Sequence, residues 1–262
     1  MDIRRIVLLG AGRVASQLGP ALKRSGITVE QVFDRTPSRG AALARRLQCP
    51  VVSDPREIVP DADLYLMAVS DDAIPALAAS LALPGKLVVH TSGTIGRDAL
   101  APASERNGIF YPLQTFPAGK RVNFSRVPVC IEAGDPDSEE SLAALAGKIS
   151  SRVLRLDEPG RRLIHLAAVF SANFSNFMYT VAEDLLVENG IPFGYLNPLI
   201  EATARNSRGK DLIRSQTGPA ARNDRDVIDH QRELLRNQPD YLALYDLITE
   251  NILKFKTLHE KL

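Results

Sequence analysis

Three groups of residues in this chain of 262 have the types and spacing to do chemistry. The first is the turn Gly10-Ala11-Gly12-Arg13-Val14-Ala15, which follows the apolar run Ile6-Val7-Leu8-Leu9 and precedes an amphipathic segment. In this G-x-G-x-x-A pattern Gly10 permits a tight turn and Gly12 lets a pyrophosphate reach the backbone. Ala15 lets the next helix pack close to the strand, with its N-terminus facing the phosphates. Ala11, Arg13 and Val14 complete the predicted cofactor loop. The second group, Asp34-Arg35-Thr36, ends another apolar strand, and Asp34 lies 19 residues beyond Ala15. Asp34 would favour NAD by accepting from ribose hydroxyls, whereas Arg35, Thr36 and Arg39 would favour NADP by binding a 2′-phosphate. The cluster of donors tips the reading to NADP, with Asp34 turned aside and NAD as the alternative. The third group is on a long helical stretch. There His165, Val169, Ala172, Asn173 and Asn176 recur at spacings of three and four and so share one small, apolar face. Polar groups on such a face either find partners in a helix–helix core or form a site. As a site, His165 donates a proton and Asn173 orients the substrate, with Asn176 beside it.

Other candidates sit at predicted strand ends, because open parallel sheets bind ligands outside the carboxyl ends of their strands. The fourth strand ends in Val69-Ser70-Asp71, where Ser70 or Asp71 would cap the next helix beside a bound cofactor. The fifth ends in His90-Thr91-Ser92-Gly93. His90 is either an acid/base near neutral pH or a clamp on the loop through backbone hydrogen bonds, and Ser92 would position a substrate oxygen. Tyr111-Pro112-Leu113-Gln114-Thr115-Phe116-Pro117 is a proline-stiffened pocket wall in which Gln114 offers a polar group to substrate. Arg222, in a breaker-rich loop over 216–224, is either a carboxylate clamp or bonded to its own neighbours.

The elements that must position these groups alternate over the first 155 residues. Strands are predicted at 3–9, 28–34, 51–53, 64–70, 86–90, 108–111 and 127–132, with 152–156 at an edge. Helices fall between them at 14–25, 38–47, 73–83, 97–106 and 138–150. After Asp157-Glu158-Pro159-Gly160 only helical periodicity is left. One extended helix spans 161–188 and is closed by Asn189-Gly190, and others follow at 195–207, 225–236 and 241–261. The fold class is therefore α/β, a doubly wound and mainly parallel sheet over 1–155, followed by an all-α domain over 156–262.

Composition excludes several functions. Apolar residues make up 45% and charged residues 24%, as in a soluble globular protein, and no apolar run is long enough to span a membrane. With 32 basic against 31 acidic residues, nothing draws the chain to nucleic acid or anionic lipid. The chain runs directly into its first strand, which leaves no room for a signal peptide and points to the cytoplasm. Cys49 and Cys130 form no C-x-x-C pattern and read as buried free thiols. His90, His165, His230 and His259 have no metal-ligand spacing, so no metal is expected.

Taken together, Gly10-x-Gly12-x-x-Ala15, Tyr111-Pro-Leu-Gln-Thr-Phe116, His165-Leu-Ala-Ala-Val-Phe-x-x-Asn173-Phe and Thr217-Gly-Pro-Ala-x-Arg222-x-Asp224 resemble the proteins with a Rossmann-like N-terminal domain and a C-terminal domain of unknown function 2520. The resemblance covers essentially the whole chain. More widely it extends to the 6-phosphogluconate dehydrogenase-like superfamily, with its pyrroline-5-carboxylate reductases and β-hydroxyacid dehydrogenases. It implies NADP oxidoreductase activity, a helical C-terminal domain that forms a homodimer, and an active site between the domains. β-Hydroxyacid dehydrogenases carry a lysine four residues before the asparagine that Asn173 matches, and here that position is Val169. Their mechanism does not carry over, and His165 takes the lysine's place as proton donor. The expected activity is hydride transfer between a nicotinamide and a C=O or C=N group of a small metabolite, including the imines of the pyrroline reductases. The alternative is a nucleotide-binding scaffold or redox sensor without turnover.

Overall fold

The computed structural model describes residues 2–117, 119–208 and 211–259. Eight strands are present: β1 (Arg5–Leu9), β2 (Thr28–Phe33), β3 (Val51–Val52), β4 (Leu64–Met67), β5 (Leu87–His90), β6 (Asn107–Pro112), β7 (Val129–Ala133) and β8 (Val153–Arg155). They form one sheet in the order β3-β2-β1-β4-β5-β6-β7-β8. All neighbours pair parallel except β6 and β7, which run antiparallel with Tyr111 opposite Cys130 and Ile109 opposite Glu132. The central runs Ile6–Leu9, Leu64–Met67 and Leu87–Val89 are apolar without interruption because both faces of the sheet are covered there. Ile6, Leu8, Leu64 and Leu66 cluster with α1 (Arg13–Arg24), α2 (Pro37–Leu47) and α4 (Pro136–Gly147). Val7, Leu9, Tyr65 and Met67 cluster on the other face with α3 (Ile74–Ala79). The strand order reverses between β1 and β4, which leaves a crevice outside their C-terminal ends.

Two compact units pack separately, Met1–Asn173 and Phe174–Leu262. The first includes α5 (Glu158–Ala168), on the far side of the expected boundary near residue 155. Asp157 caps α5 by accepting from the Gly160 N–H at 3.0 Å, and Pro159 fits the first turn, where no N–H is needed. The predicted helix over 161–188 is divided. Helical backbone passes from α5 through a π-helical turn, Val169–Phe174, into α6 (Ser175–Val187). A π turn holds more residues than an α turn, so the three-and-four spacing that put Ala172, Asn173 and Asn176 on the face of His165 does not carry through it. The predicted helix over 97–106 is a short 3₁₀ turn, Arg97–Leu100, because Pro102 has no N–H to extend it. The predicted loop over 216–224 contains a single helical turn, α8 (Pro219–Arg222).

The second unit holds α6, α7 (Asn197–Asn206), α8, α9 (Arg225–Leu234) and α10 (Pro239–His259). Arg232 pairs with Asp246 at 3.0 Å, and the Tyr245 hydroxyl donates to Gln231 at 2.7 Å, tying α9 to α10. Among the described residues its buried apolar side chains are few: Ala220, Ala221, Ile228 and Leu235. Many others lie on its surface, among them Phe177, Tyr195, Leu199, Leu247 and Leu258.

Candidate functional site

A pocket of about 550 Å³ opens at the C-terminal ends of β1, β2 and β4. It brings together the predicted cofactor residues Gly10, Ala11, Gly12, Arg13, Val14, Asp34, Arg35, Val69 and Ser70. Gly10 has φ +106°, and a Cβ there would lie 2.7 Å from the carbonyl oxygen of Ala68. The backbone therefore turns as closely as a dinucleotide loop requires. Gly12 is the N-cap of α1 and makes no side-chain cap bond, so the first N–H groups of the helix are left for an anion. Pocket, glycine turn and open helix end fit a dinucleotide.

Asp34 is buried, and its carboxylate is already engaged. Oδ2 accepts from the Ala11 N–H at 2.7 Å and Oδ1 from the Thr36 N–H at 2.8 Å, while Arg39 donates to both oxygens. Burial alone would raise this carboxyl's pKa. Arg39 and the N–H groups of Thr36 and Ala11 outweigh it and hold the acid below its ordinary range. A ribose hydroxyl would have to displace one of these donors. Thr36 does not line the pocket, and its N–H serves Asp34. Arg35, Arg39 and Ser53 do line it, so the polar groups beside β2 present donors.

At the end of β4, Ser70 makes no side-chain cap bond, contrary to its predicted role. Asp71 does not cap either. Its carboxylate accepts from the Thr94 hydroxyl at 2.6 Å and ties the β4 end to the loop after β5. In that loop the Ser92 Oγ accepts from the N–H groups of Thr94 and Ile95, both at 3.0 Å. Ser92 thus folds its own loop instead of facing a substrate. His90 is fully buried. Its Nδ1 accepts from the Ser92 N–H at 3.2 Å and its Nε2 faces the Gly96 carbonyl at 3.3 Å. Burial pushes its pKa down to about 4, so the ring is neutral and both nitrogens are spent on backbone. Of the two predicted roles for His90, clamping the loop is the one with the geometry.

The clamped loop carries Gly93 against a half-buried pair. The Tyr111 hydroxyl lies 2.9 Å from His165 Nδ1, with the rings edge to face at 5.8 Å. A Cβ on Gly93 would sit 2.5 Å from His165 Nδ1 and 3.0 Å from Tyr111 Cζ, so only glycine admits the pair. Burial raises the Tyr111 phenol to about 12. One turn before His165, Arg161 is fully buried. Its Nε meets Glu132 at 3.3 Å and its Nη1 donates to the Ser92 carbonyl at 3.4 Å, while Nη2 has no partner among the described residues. Arg162 donates to the Thr94 carbonyl at 3.2 Å, so α5 holds the loop at two points.

The other predicted residues do not join this cluster. Gln114 is exposed and accepts from Thr115 of its own loop. Asn173 is exposed at the end of the first unit. Asn176 and Arg222 are exposed in the second unit, where the nearest carboxylate to Arg222 is Asp224 at 4.0 Å. The sequence alone places Tyr111 and Gly93 in their loops without joining either to His165, and it gives Glu132 and Arg161 no role. The one available signal was Arg161, a charge one turn before His165 on a helix face that reads as apolar. Among the described residues no three His, Cys, Asp or Glu side chains converge as for a metal ion. Nor is any described helix long and apolar enough to cross a membrane.

A Rossmann-like domain model matches residues 3–117, and the model of the domain of unknown function 2520 matches residues 127–252. The chain is similar to a candidate NADP oxidoreductase from Bacteroides fragilis, at 36% identity over 97% of this chain and 98% of that one, with a TM-score of 0.89. It shares its fold with a protein from Thermotoga maritima, at 20% identity over 96% and 99% of the two chains and a TM-score of 0.81. An imine reductase from Myxococcus stipitatus in complex with NADP⁺ has the same fold, at 18% identity over 95% and 93% and a TM-score of 0.66. No curated protein matches the chain. With both models covering their halves and a 36%-identical relative spanning its length, the chain belongs to the family of Rossmann-like proteins that carry the domain of unknown function 2520.

Proposed function

We propose that the protein is an NADP-dependent oxidoreductase that transfers hydride between the nicotinamide and a C=O or C=N carbon of a small metabolite. The observation that carries this reading is the Tyr111–His165 hydrogen bond, supported by a loop that Thr94 ties to Asp71, next in sequence to the pocket residue Ser70. The name of the Bacteroides fragilis relative supports the cofactor class. The N–H groups of Gly12, Arg13 and Val14 would receive the pyrophosphate, Arg35 and Arg39 the 2′-phosphate, and Val69 and Ser70 would flank the ribose. NADPH bound there supplies the hydride. His165, engaged by Tyr111 through Nδ1, presents Nε2 as the proton donor to the reduced heteroatom. His90 and Ser92 hold the loop that shapes this edge, and Asn173 and Gln114 are exposed polar groups available to a substrate. Positioning of substrate against cofactor supplies most of the rate.

Thermal-shift titration with NADP, NAD and their reduced forms, followed by a panel of imines and ketones, tests this reading. NADPH binding with turnover of at least one carbonyl or imine supports it. His165→Gln is then expected to lower turnover by about 10²–10⁴-fold and spare NADPH binding. Binding without any turnover assigns the chain to the scaffold or sensor class instead.

The exposed apolar side chains of the second unit support a homodimer as the working form. Tyr195 is 77% and Leu199 64% exposed, and large apolar side chains left open in this way are what a second copy of the chain would cover. Light scattering that returns a mass of 28.6 kDa would refute the dimer.

A further inference from the structure

We propose that His165 is a relay and that Tyr111 is the acid behind it: the Tyr111 hydroxyl donates to Nδ1, and its proton moves to Nδ1 as the Nε2 proton moves to the substrate. This rests on the reductase reading above.

The geometry supplies the path. Tyr111 Oη and His165 Nδ1 are 2.9 Å apart, and Gly93 leaves no side chain between or against them. A hydroxyl that donates to Nδ1 fixes the imidazole as the neutral Nε2–H tautomer. A buried cation stands near the phenol that gives up the proton. Arg161 lies one turn away on the same helix face, fully buried, with Nη2 unpartnered among the described residues. Its carboxylate partner Glu132 is shared with Arg97, 3.8 Å away, so Arg161 has no counter-charge of its own. A proton lost from Tyr111 places an anion near this buried cation. Three other titratable groups bear on the phenol or on the loop beside it: Cys130, a thiol that burial holds up to about 11, Asp71, and His90, which clamps the loop in its neutral form. Asp71 opposes the effect of Arg161 on the phenol, which burial keeps near 12. A phenol there is still more acidic than the alcohol or amine that the reduced substrate becomes, so the net transfer runs downhill.

The protons balance. The Oη–H bond of Tyr111 breaks as Nδ1–H forms. The Nε2–H bond breaks as the bond from hydrogen to the substrate oxygen or nitrogen forms, on the molecule that has taken hydride. Tyr111 is left as phenolate and His165 as the Nδ1–H tautomer. After product leaves, water protonates Nε2 and Nδ1–H returns its proton to Tyr111.

Nitrogen-15 NMR of the full-length protein reads the tautomer directly, with His165 assigned by His165→Gln. The wild type is expected to show protonated Nε2 and bare Nδ1 between pH 7 and 9, and Tyr111→Phe to lose that bias. With a reducible substrate, Tyr111→Phe is expected to lower kcat at least tenfold with an unchanged Kd for NADPH. The proton inventory in mixed H₂O and D₂O should change from curved, with two protons in flight, to linear. A wild-type Nδ1–H tautomer overturns the relay. So does a Tyr111→Phe variant with wild-type kcat and inventory while the parent enzyme turns over. A parent that reduces nothing overturns the reductase reading itself and leaves the pair as a structural tie.

Discussion

Arg39 and Asp34 are joined twice at the mouth of the dinucleotide pocket, Nε to Oδ2 at 3.1 Å and Nη2 to Oδ1 at 3.0 Å. The pair reconciles two sequence signals that conflict. The acid suited to an NAD ribose is spent on the glycine turn and on an arginine, and under the proposed function that arginine's exposed edge would meet the 2′-phosphate. Charge-assisted bonds of this kind are worth about 1.5–3 kcal/mol each, or roughly 10- to 100-fold in affinity. Arg39→Ala is therefore expected to lower the preference for NADP over NAD by that factor, as read by calorimetric titration of both cofactors. An unchanged ratio would remove Arg39 from the 2′-phosphate site.

Gly93→Ala separates positioning from binding. Its Cβ would fall 2.5 Å from His165 Nδ1, so the imidazole must leave Tyr111. Displacement of a reacting group by about 1 Å can cost on the order of 100-fold in rate. Turnover should drop by about that much while NADPH affinity holds, a split that steady-state kinetics and calorimetry resolve together.

His90 predicts how stability depends on pH. Its folded pKa near 4 is below the 6.5 of the free side chain, so the native state binds fewer protons than the unfolded one in that interval. The stability contribution is present in full above pH 6.5 and is lost as pH falls from there towards 4, by up to about 3 kcal/mol. His90→Asn should flatten that part of the profile. The comparison is the difference in Tm between wild type and variant at pH 7.5 and pH 4.5, and equal slopes would contradict it.

Gly10→Ala tests the cradle. A Cβ there meets the Ala68 carbonyl oxygen at 2.7 Å and the backbone has φ +106°, so the strain cannot be relieved by a side-chain movement. A cost of about 1–3 kcal/mol is expected in the apo protein, together with loss of the thermal shift by NADP.

The dinucleotide half was legible because its signals are local. A glycine turn between an apolar run and an amphipathic helix depends on backbone conformation and periodicity, and both are encoded within a few residues. The same holds for the eight strands, whose apolar runs stand out because both sheet faces are buried. His165 could be singled out because a histidine on a small, apolar helix face needs a partner.

That partner is decided only by tertiary structure. Tyr111 is 54 residues away on β6, and nothing in either segment encodes the antiparallel turn of β6 onto β7 or the seating of α5 that bring them to 2.9 Å. The π turn at Val169–Phe174 cannot be seen in side-chain periodicity, and it breaks the face that was to align Asn173 and Asn176 with His165. His90 and Ser92 looked like chemistry because they are polar residues at a strand end. Packing made His90 a neutral clamp and Ser92 a loop cap, because a buried donor or acceptor must be satisfied by whatever backbone the fold brings within reach. The sequence by itself determined the sheet, the glycine turn and the candidate histidine. Which polar groups are spent holding the fold and which are left to react depended on contacts between distant segments, and these exist only once the chain has packed.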